Sequence, residues 1–232
     1  MRQIAVFGLG VFGSSLAMDL YKLGFTVLGV DIKEEPVKEL AGKITEVVQA
    51  DTTDEKVLEA LGIKNFDVAV VSIGDDIQSS VLTTITLKEL GVPFIIARAI
   101  NKMHGKILNK IGADRVIFPE QDMAFKLAKT LALPNAIRTE ELFPGYNIVE
   151  SRVPPFLYGL TLGKAQLRNR YGINVLAIKR GEEYIVSPSA DEILLKGDII
   201  YVLGNEQQLQ QFFRSTEASK GREVRINGKN GK

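Results

Sequence analysis

No cysteine occurs anywhere in the chain. Disulfides, thiolate nucleophiles and cysteine-held zinc or iron–sulfur centres are therefore excluded, and a reducing compartment suits it. A dominant charge is missing too. The net charge of +1 is too small to build the basic field that nucleic acid binding calls for. Long hydrophobic runs are lacking: stretches such as FDVAVVSIG and VPFIIARAI are strand-sized, well below the roughly 18 residues that cross a bilayer. Met1 leads straight into a strand pattern, so no secretory signal is expected, and the protein should be soluble and cytoplasmic.

Reactive groups are equally scarce. The one histidine, His104, opens a helical stretch without an obvious orienting carboxylate, and a surface or capping role is expected for it. There is no G-x-S-x-G elbow and no H-E-x-x-H pair. A dehydrogenase needs a group to move a proton beside the hydride, and none stands out.

What is present is ordinary globular composition, 45% hydrophobic and 25% charged over 232 residues. That is enough for one large domain, or for one medium and one small. Over the first 120 residues, short apolar runs alternate with amphipathic stretches. Strands are expected at 3–8, 26–31, 46–51, 67–73, 94–99 and 115–119, several of them β-branched and apolar on successive residues. The first helix should carry Phe12, Leu16, Leu20 and Leu23 on one stripe, closed by Gly24. This alternation predicts an α/β fold with a doubly wound parallel sheet.

A further helix over 120–132 leads out, so the first domain is taken as 1–133. Pro134, Pro144 and Gly145 then mark a linker, 134–145. Residues 146–214 read as a small α+β domain: a strand at 146–153, a helix at 161–171, and strands near 173–179, 183–187 and 198–203. A last helix follows. The domain is small enough that dimerisation would help it. The polar tail, 215–232, is expected to be disordered.

Gly8, Gly10 and Gly13 spell G-x-G-x-x-G between a strand and a helix, and Asp31 ends the next strand. That context is what a dinucleotide fingerprint requires. Gly8 permits the tight turn, Gly10 lets phosphate approach the backbone, and Gly13 lets helix and strand pack closely. Asp31 can accept hydrogen bonds from both ribose hydroxyls and would repel a 2′-phosphate, which disfavours NADP. Asp51 and Thr52 end the third strand, Ser72, Ile73 and Gly74 the fourth, and Arg98 the fifth. Ligands in such sheets lie beyond the carboxyl ends of the strands. Asp51 or Thr52 can instead cap the following helix, and Arg98 can form a surface ion pair. A nucleotide site without a second set of reactive groups points to sensing rather than catalysis. A small NAD-dependent oxidoreductase is the alternative.

With VFGLGVFGSSLA, ADTTDE, LGIKNFDVAVVSIGDDIQSS and especially IGADRVIFPEQDMA in view, the chain resembles the RCK domains that regulate potassium conductance, in the TrkA/KtrA group. The resemblance covers residues 3–214. It implies a Rossmann N-domain that pairs through a crossover helix. Dimers of such chains assemble into a ring, octameric as a rule, beneath a membrane-embedded potassium transporter. The implied ligand is ATP, ADP or NAD(H), with Phe12 and Ile32 added to the contacts above. Glu120 would hold a divalent cation, Mg or Ca, near the phosphates, though it also suits a helix N-terminal acid.

Many relatives have Arg where this chain has Val11. Losing that contact removes about 1.5–3 kcal/mol of phosphate discrimination unless Lys33 or Arg98 compensates. The second part resembles the RCK C-terminal domain, which in some relatives binds cyclic di-AMP. Arg168 and Asn174 match the polar contacts of that site, and Leu162, Leu167 and Pro188 its apolar walls.

Overall fold

The computed structural model describes residues 2–133 and 135–215. The chain divides into two compact units, one ending at Glu120 and the other beginning at Gln121.

The first unit alternates strand and helix: β1 (Gln3–Phe7), α1 (Val11–Lys22), β2 (Thr26–Asp31), α2 (Glu34–Leu40), β3 (Glu46–Gln49) and α3 (Glu55–Ala60). It continues with β4 (Val68–Val71), α4 (Ile77–Glu89), β5 (Ile95–Arg98), α5 (Lys102–Lys110) and β6 (Arg115–Ile117), and α6 (Pro119–Leu131) leads out of it. The six strands form one parallel sheet in the order β3-β2-β1-β4-β5-β6. This is the doubly wound arrangement, and its order reverses between β1 and β4.

The sheet is buried on both faces. Ala5, Phe7, Ala69 and Val71 pack with Leu58, Leu87 and Leu108 on one side, and Ile4, Val6, Val68 and Val70 pack with Ala17 and Leu40 on the other. The side chain period of two distributes each apolar run between two cores, which is why these strands carry no polar alternation.

The expected stripe of α1 differs in one respect. Gly13 and Ala17 are its buried residues, and Leu23 is 74% exposed. Small residues face the sheet because the helix lies close against it.

The second unit contains β7 (Ala136–Phe143), β8 (Tyr146–Arg152), α7 (Leu162–Ala165), α8 (Leu167–Tyr171), β9 (Asn174–Arg180), β10 (Glu183–Val186) and β11 (Ile199–Asn205), then helix α9 over 206–215. Its sheet is antiparallel, in the order β10-β9-β11-β8-β7. Val149, Leu157, Ile173, Ile178, Val202 and Phe212 form its core.

The stretch 134–145, expected as a linker, instead contains β7, which pairs with β8. Register shifts between Ala136 and Arg138 and between Glu141 and Phe143 break the alternation that would have announced the strand. From Gln121 onward, α6 groups with this unit and not with the first domain as expected. The helix expected over 161–171 is split at Gln166, whose φ is +48°. The tail from 216 lies outside the described residues.

Candidate nucleotide site

Strand β1 ends at a turn whose glycines do different work. Gly8 has φ +87°, and a Cβ there would stand 2.9 Å from the Ile73 backbone nitrogen. At Gly13 a Cβ would drive into the Gly8 carbonyl oxygen and the Ser72 hydroxyl. A Cβ on Gly10 would meet nothing within 4 Å, and its φ of −65° suits any residue. The protein itself therefore requires glycine at 8 and 13 but not at 10.

Immediately beyond Gly10 begins α1, with no side-chain cap and no acid in its first turn. By contrast α3, α4 and α5 are capped by Asp54, Asp76 and Asn101. Val11 is 90% exposed, so the free N–H groups and positive end of a twelve-residue helix open outward.

Asp31 is fixed beside this turn. Its Oδ2 accepts from the Leu9 N–H at 2.6 Å and its Oδ1 from the Lys33 N–H at 2.8 Å. Neither bond is evident from sequence spacing. Together they hold the carboxylate at the end of β2, the neighbour of β1.

Ser72 is buried, and its hydroxyl donates to the Gly8 carbonyl at 2.5 Å and reaches the Phe7 carbonyl at 3.1 Å. It locks the glycine turn from the β4 side. Ile73 stands against Gly8, and Ile32 is exposed at the end of β2. Phe12 is half-buried in the first turn of α1.

Thr52 is buried, sharing a 2.8 Å hydrogen bond with Thr83 of α4. The Asp51 Oδ1 accepts from the hydroxyl and the N–H of Thr53, and those bonds hold its pKa below the ordinary carboxylate value. Neither residue caps α3; Asp54 does.

Arg98 lies over Gly74, where a Cβ would come within 2.7 Å of its Nη1. Nη1 donates to the Ser72 carbonyl at 3.4 Å, and Nη2 to Glu120 Oε1 at 2.5 Å. Its Nε is buried without a partner. Glu120 is thus already matched by a cation. No group of three or more His, Cys, Asp or Glu placed to hold a metal occurs among the described residues, so an ion at Glu120 would draw its other ligands from phosphate and water.

Lys33, following β2, reaches Asp75, following β4, at 2.9 Å. Because β1 lies between those strands, the pair bridges across the glycine turn. The hydrogen bond and charge of Asp75 raise the Lys33 pKa, and Lys33 lowers that of Asp75. Sequence reading missed Asp75 because nothing local connects it to Lys33, 42 residues earlier.

His104 departs from expectation. It is buried within α5, Asn101 provides the cap, and its Nδ1 lies 3.5 Å from the Ile100 N–H. Burial lowers its pKa, so the ring is neutral at pH 7.

In the second unit Leu167 belongs to the core, and Leu162 packs half-buried against it. Arg168 and Asn174 are exposed, and Pro188 is half-buried, following Ser187 with φ +51°.

No helix among the described residues is long and apolar enough to cross a membrane. Residues 4–119 match the TrkA-N domain model and 148–216 the TrkA-C domain model. The chain is 44% identical over 211 residues to Ktr system potassium uptake protein C of Bacillus subtilis, covering 91% of this chain and 96% of that protein. It is 40% identical to Ktr system potassium uptake protein A of the same organism, covering 91% and 95%.

Among solved structures, the GsuK RCK domain superposes with a TM-score of 0.63 at 19% identity, over 92% of this chain and 47% of that one. This chain therefore spans about half the length of that solved protein, and the likeness is one of fold. The two domain matches in sequence and the near full-length identity place the chain in the TrkA/KtrA family of RCK-domain proteins.

Proposed function

We propose that the protein is the nucleotide-sensing regulatory subunit of a Ktr-type potassium uptake system, acting on the cytoplasmic side of a membrane-embedded transporter. One observation carries the reading. Gly10 is free of any internal steric demand and faces the uncapped start of α1 beside a fixed Asp31. A phosphate group suits the N–H groups of α1, and ribose hydroxyls suit Asp31.

Arg98 and Glu120 reach the same edge from β5 and the start of α6, where a phosphate-bound divalent cation would meet Glu120. Arg98 and Lys33, paired with Glu120 and Asp75 in this structure, are the cations that would turn to the phosphates in place of the Arg replaced by Val11. The relatives named above are potassium uptake proteins, and a solved GsuK channel carries NAD. Arg168 and Asn174 are the groups for cyclic di-AMP in the second unit.

On this reading ATP, ADP or NAD(H) binds without being consumed and biases a ring of dimers between shapes. A ligand shifts such an equilibrium only by its differential affinity for the two. The oxidoreductase alternative finds no histidine at the cleft to move a proton, since the sole histidine is buried in α5.

The test is calorimetric titration of ATP, ADP and NADH into the purified chain, with small-angle scattering of each complex. We expect nucleotide binding, recovery of unaltered nucleotide, and different scattering profiles with ATP and ADP. Identical profiles at saturation, or steady turnover, would reject the reading.

A further inference from the structure

Lys33 and Asp75 stand on opposite flanks of the glycine turn. Lys33 follows β2, the neighbour of β1 on one side, and Asp75 follows β4, its neighbour on the other. The turn is tied to both flanks. Leu9 donates to Asp31, whose other oxygen accepts from the Lys33 N–H, and Gly8 rests on Ile73. The Lys33 ammonium therefore crosses the mouth of the cleft to reach the Asp75 carboxylate at 2.9 Å.

Asp75 and Asp76 are adjacent acids with different roles. Asp76 turns back to cap α4, accepting from the N–H and the hydroxyl of Ser79. That leaves Asp75 to extend to Lys33. Arg98 lies over Gly74, the residue before Asp75, and its charge adds to the Lys33 hydrogen bond in holding the Asp75 pKa below the ordinary carboxylate value. An ionised carboxylate is thus held by one cation of this edge and attracted by the other.

The pair does little for the fold. Its side chains are 66% and 74% exposed, and ion pairs so placed are screened by water and opposed by side-chain entropy. What exposure provides is access, because an anion from solvent can reach the same ammonium. A phosphate offers Lys33 what the carboxylate offers it, charged oxygens that accept hydrogen bonds.

We propose that Asp75 is a built-in competitor of the nucleotide's phosphates: it engages Lys33 across the cleft, and a bound phosphate takes its place on that ammonium. The inference rests on the nucleotide reading above. Apparent affinity falls with the fraction of molecules in which Lys33 is free, and an arriving phosphate meets like charge until Asp75 swings aside. Both effects grow with ligand charge, so Asp75 narrows the preference for ATP over NADH. A residue that only lines a site weakens binding when it is lost. A competitor strengthens it.

Calorimetric titration of ATP and NADH into the full chain and its variants tests this. Asp75→Asn should bind ATP about three- to tenfold more tightly than the wild type, with a smaller gain for NADH. In a Lys33→Met background the same substitution should gain about twofold or less, because no ammonium is released. Asp75→Glu restores the carboxylate and should restore the wild-type affinity. Asp19→Asn removes the same charge beside Lys22 at the far end of α1 and should leave ATP binding unchanged. At about 1 M salt, where screening acts within ~3 Å, the gain should shrink.

An Asp75→Asn chain that binds ATP no more tightly than the wild type would overturn the inference. So would an equal gain in Asp19→Asn, or a full gain without Lys33. A wild-type chain that binds neither ligand rejects the nucleotide reading and this inference with it; a wild-type chain that binds while Asp75→Asn gains nothing rejects this inference alone.

Discussion

Gly10 and Gly13 stand three residues apart in one turn, yet only Gly13 is demanded by the protein's own packing. Their alanine variants should part company. In Gly13→Ala the methyl has no space between the Gly8 carbonyl and Ser72, so we expect loss of about 1–3 kcal/mol of stability together with nucleotide binding. Gly10→Ala should unfold within about 0.5 kcal/mol of the wild type while its nucleotide affinity collapses, because the methyl occupies the approach to the backbone. Denaturant melts and calorimetric titration of both variants check the pair. Equal affinities for the wild type and Gly10→Ala would mean that no phosphate comes close to this turn. Asp31 gives a second test. Asp31→Asn loses the negative charge that ribose hydroxyls would donate to, and a charge-assisted hydrogen bond contributes about 1.5–3 kcal/mol. NADH affinity should fall about 10–100-fold, and the preference against NADPH should weaken.

Among the elements, the two units differ in how openly they declare themselves. The six parallel strands were legible because each is a short apolar run covered on both faces, punctuated by helices ending in glycine. The fingerprint glycines and Asp31 were legible for the same reason, since strand, turn and helix are contiguous. The Ser72 lock, the Lys33–Asp75 bridge and the Thr52–Thr83 bond join residues 31 to 65 positions apart, and no local pattern encodes them. Strand β7 was hidden by its bulges, and the break between α7 and α8 by a left-handed Gln166. The second unit holds a buried carboxylate, Asp198, under a half-exposed arginine, Arg180, which Glu192 also engages at 3.0 Å. Asp198 accepts from Arg180 Nε at 3.1 Å, from Arg180 Nη2 at 2.8 Å and from the Leu195 N–H at 3.0 Å. Burial pushes its pKa up, but the bonds from Arg180 and Leu195 and the Arg180 charge outweigh that, and the net shift is downward. A depressed folded pKa stabilises above the unfolded value of about 3.9, and that stability drains away as pH falls through the folded pKa. Urea melts should therefore show the second unit losing stability below about pH 4. Arg180→Leu leaves the buried carboxylate with the Leu195 N–H alone and, with the arginine partly screened by solvent, should cost about 1.5–3 kcal/mol at pH 7, whereas Asp198→Asn should flatten the acid limb of the profile.

For the molecule as a whole, α6 poses the decisive question. None of its thirteen residues is buried, and Met123, Leu127 and Leu131 recur every fourth position at 64%, 57% and 77% exposure. An apolar stripe of this kind on a helix suits a partner, and under the proposed function that partner is a second copy of the chain. Exposed side chains contribute little to the stability of a single chain, so Met123→Glu combined with Leu127→Glu should leave the fold of each unit intact, as read by circular dichroism. Placing two carboxylates in an apolar seam should break it, because buried unpaired charge is costly. Native mass spectrometry should then show assemblies giving way to single chains. Nucleotide affinity at Asp31 should persist in those single chains, since Asp31 is held by Leu9 and Lys33 of its own unit, while the difference in scattering between ATP and ADP should vanish. Binding that survives while its consequence is lost would locate the coupling in α6; undisturbed assemblies would place the seam elsewhere and leave the nucleotide with no evident path from cleft to neighbour.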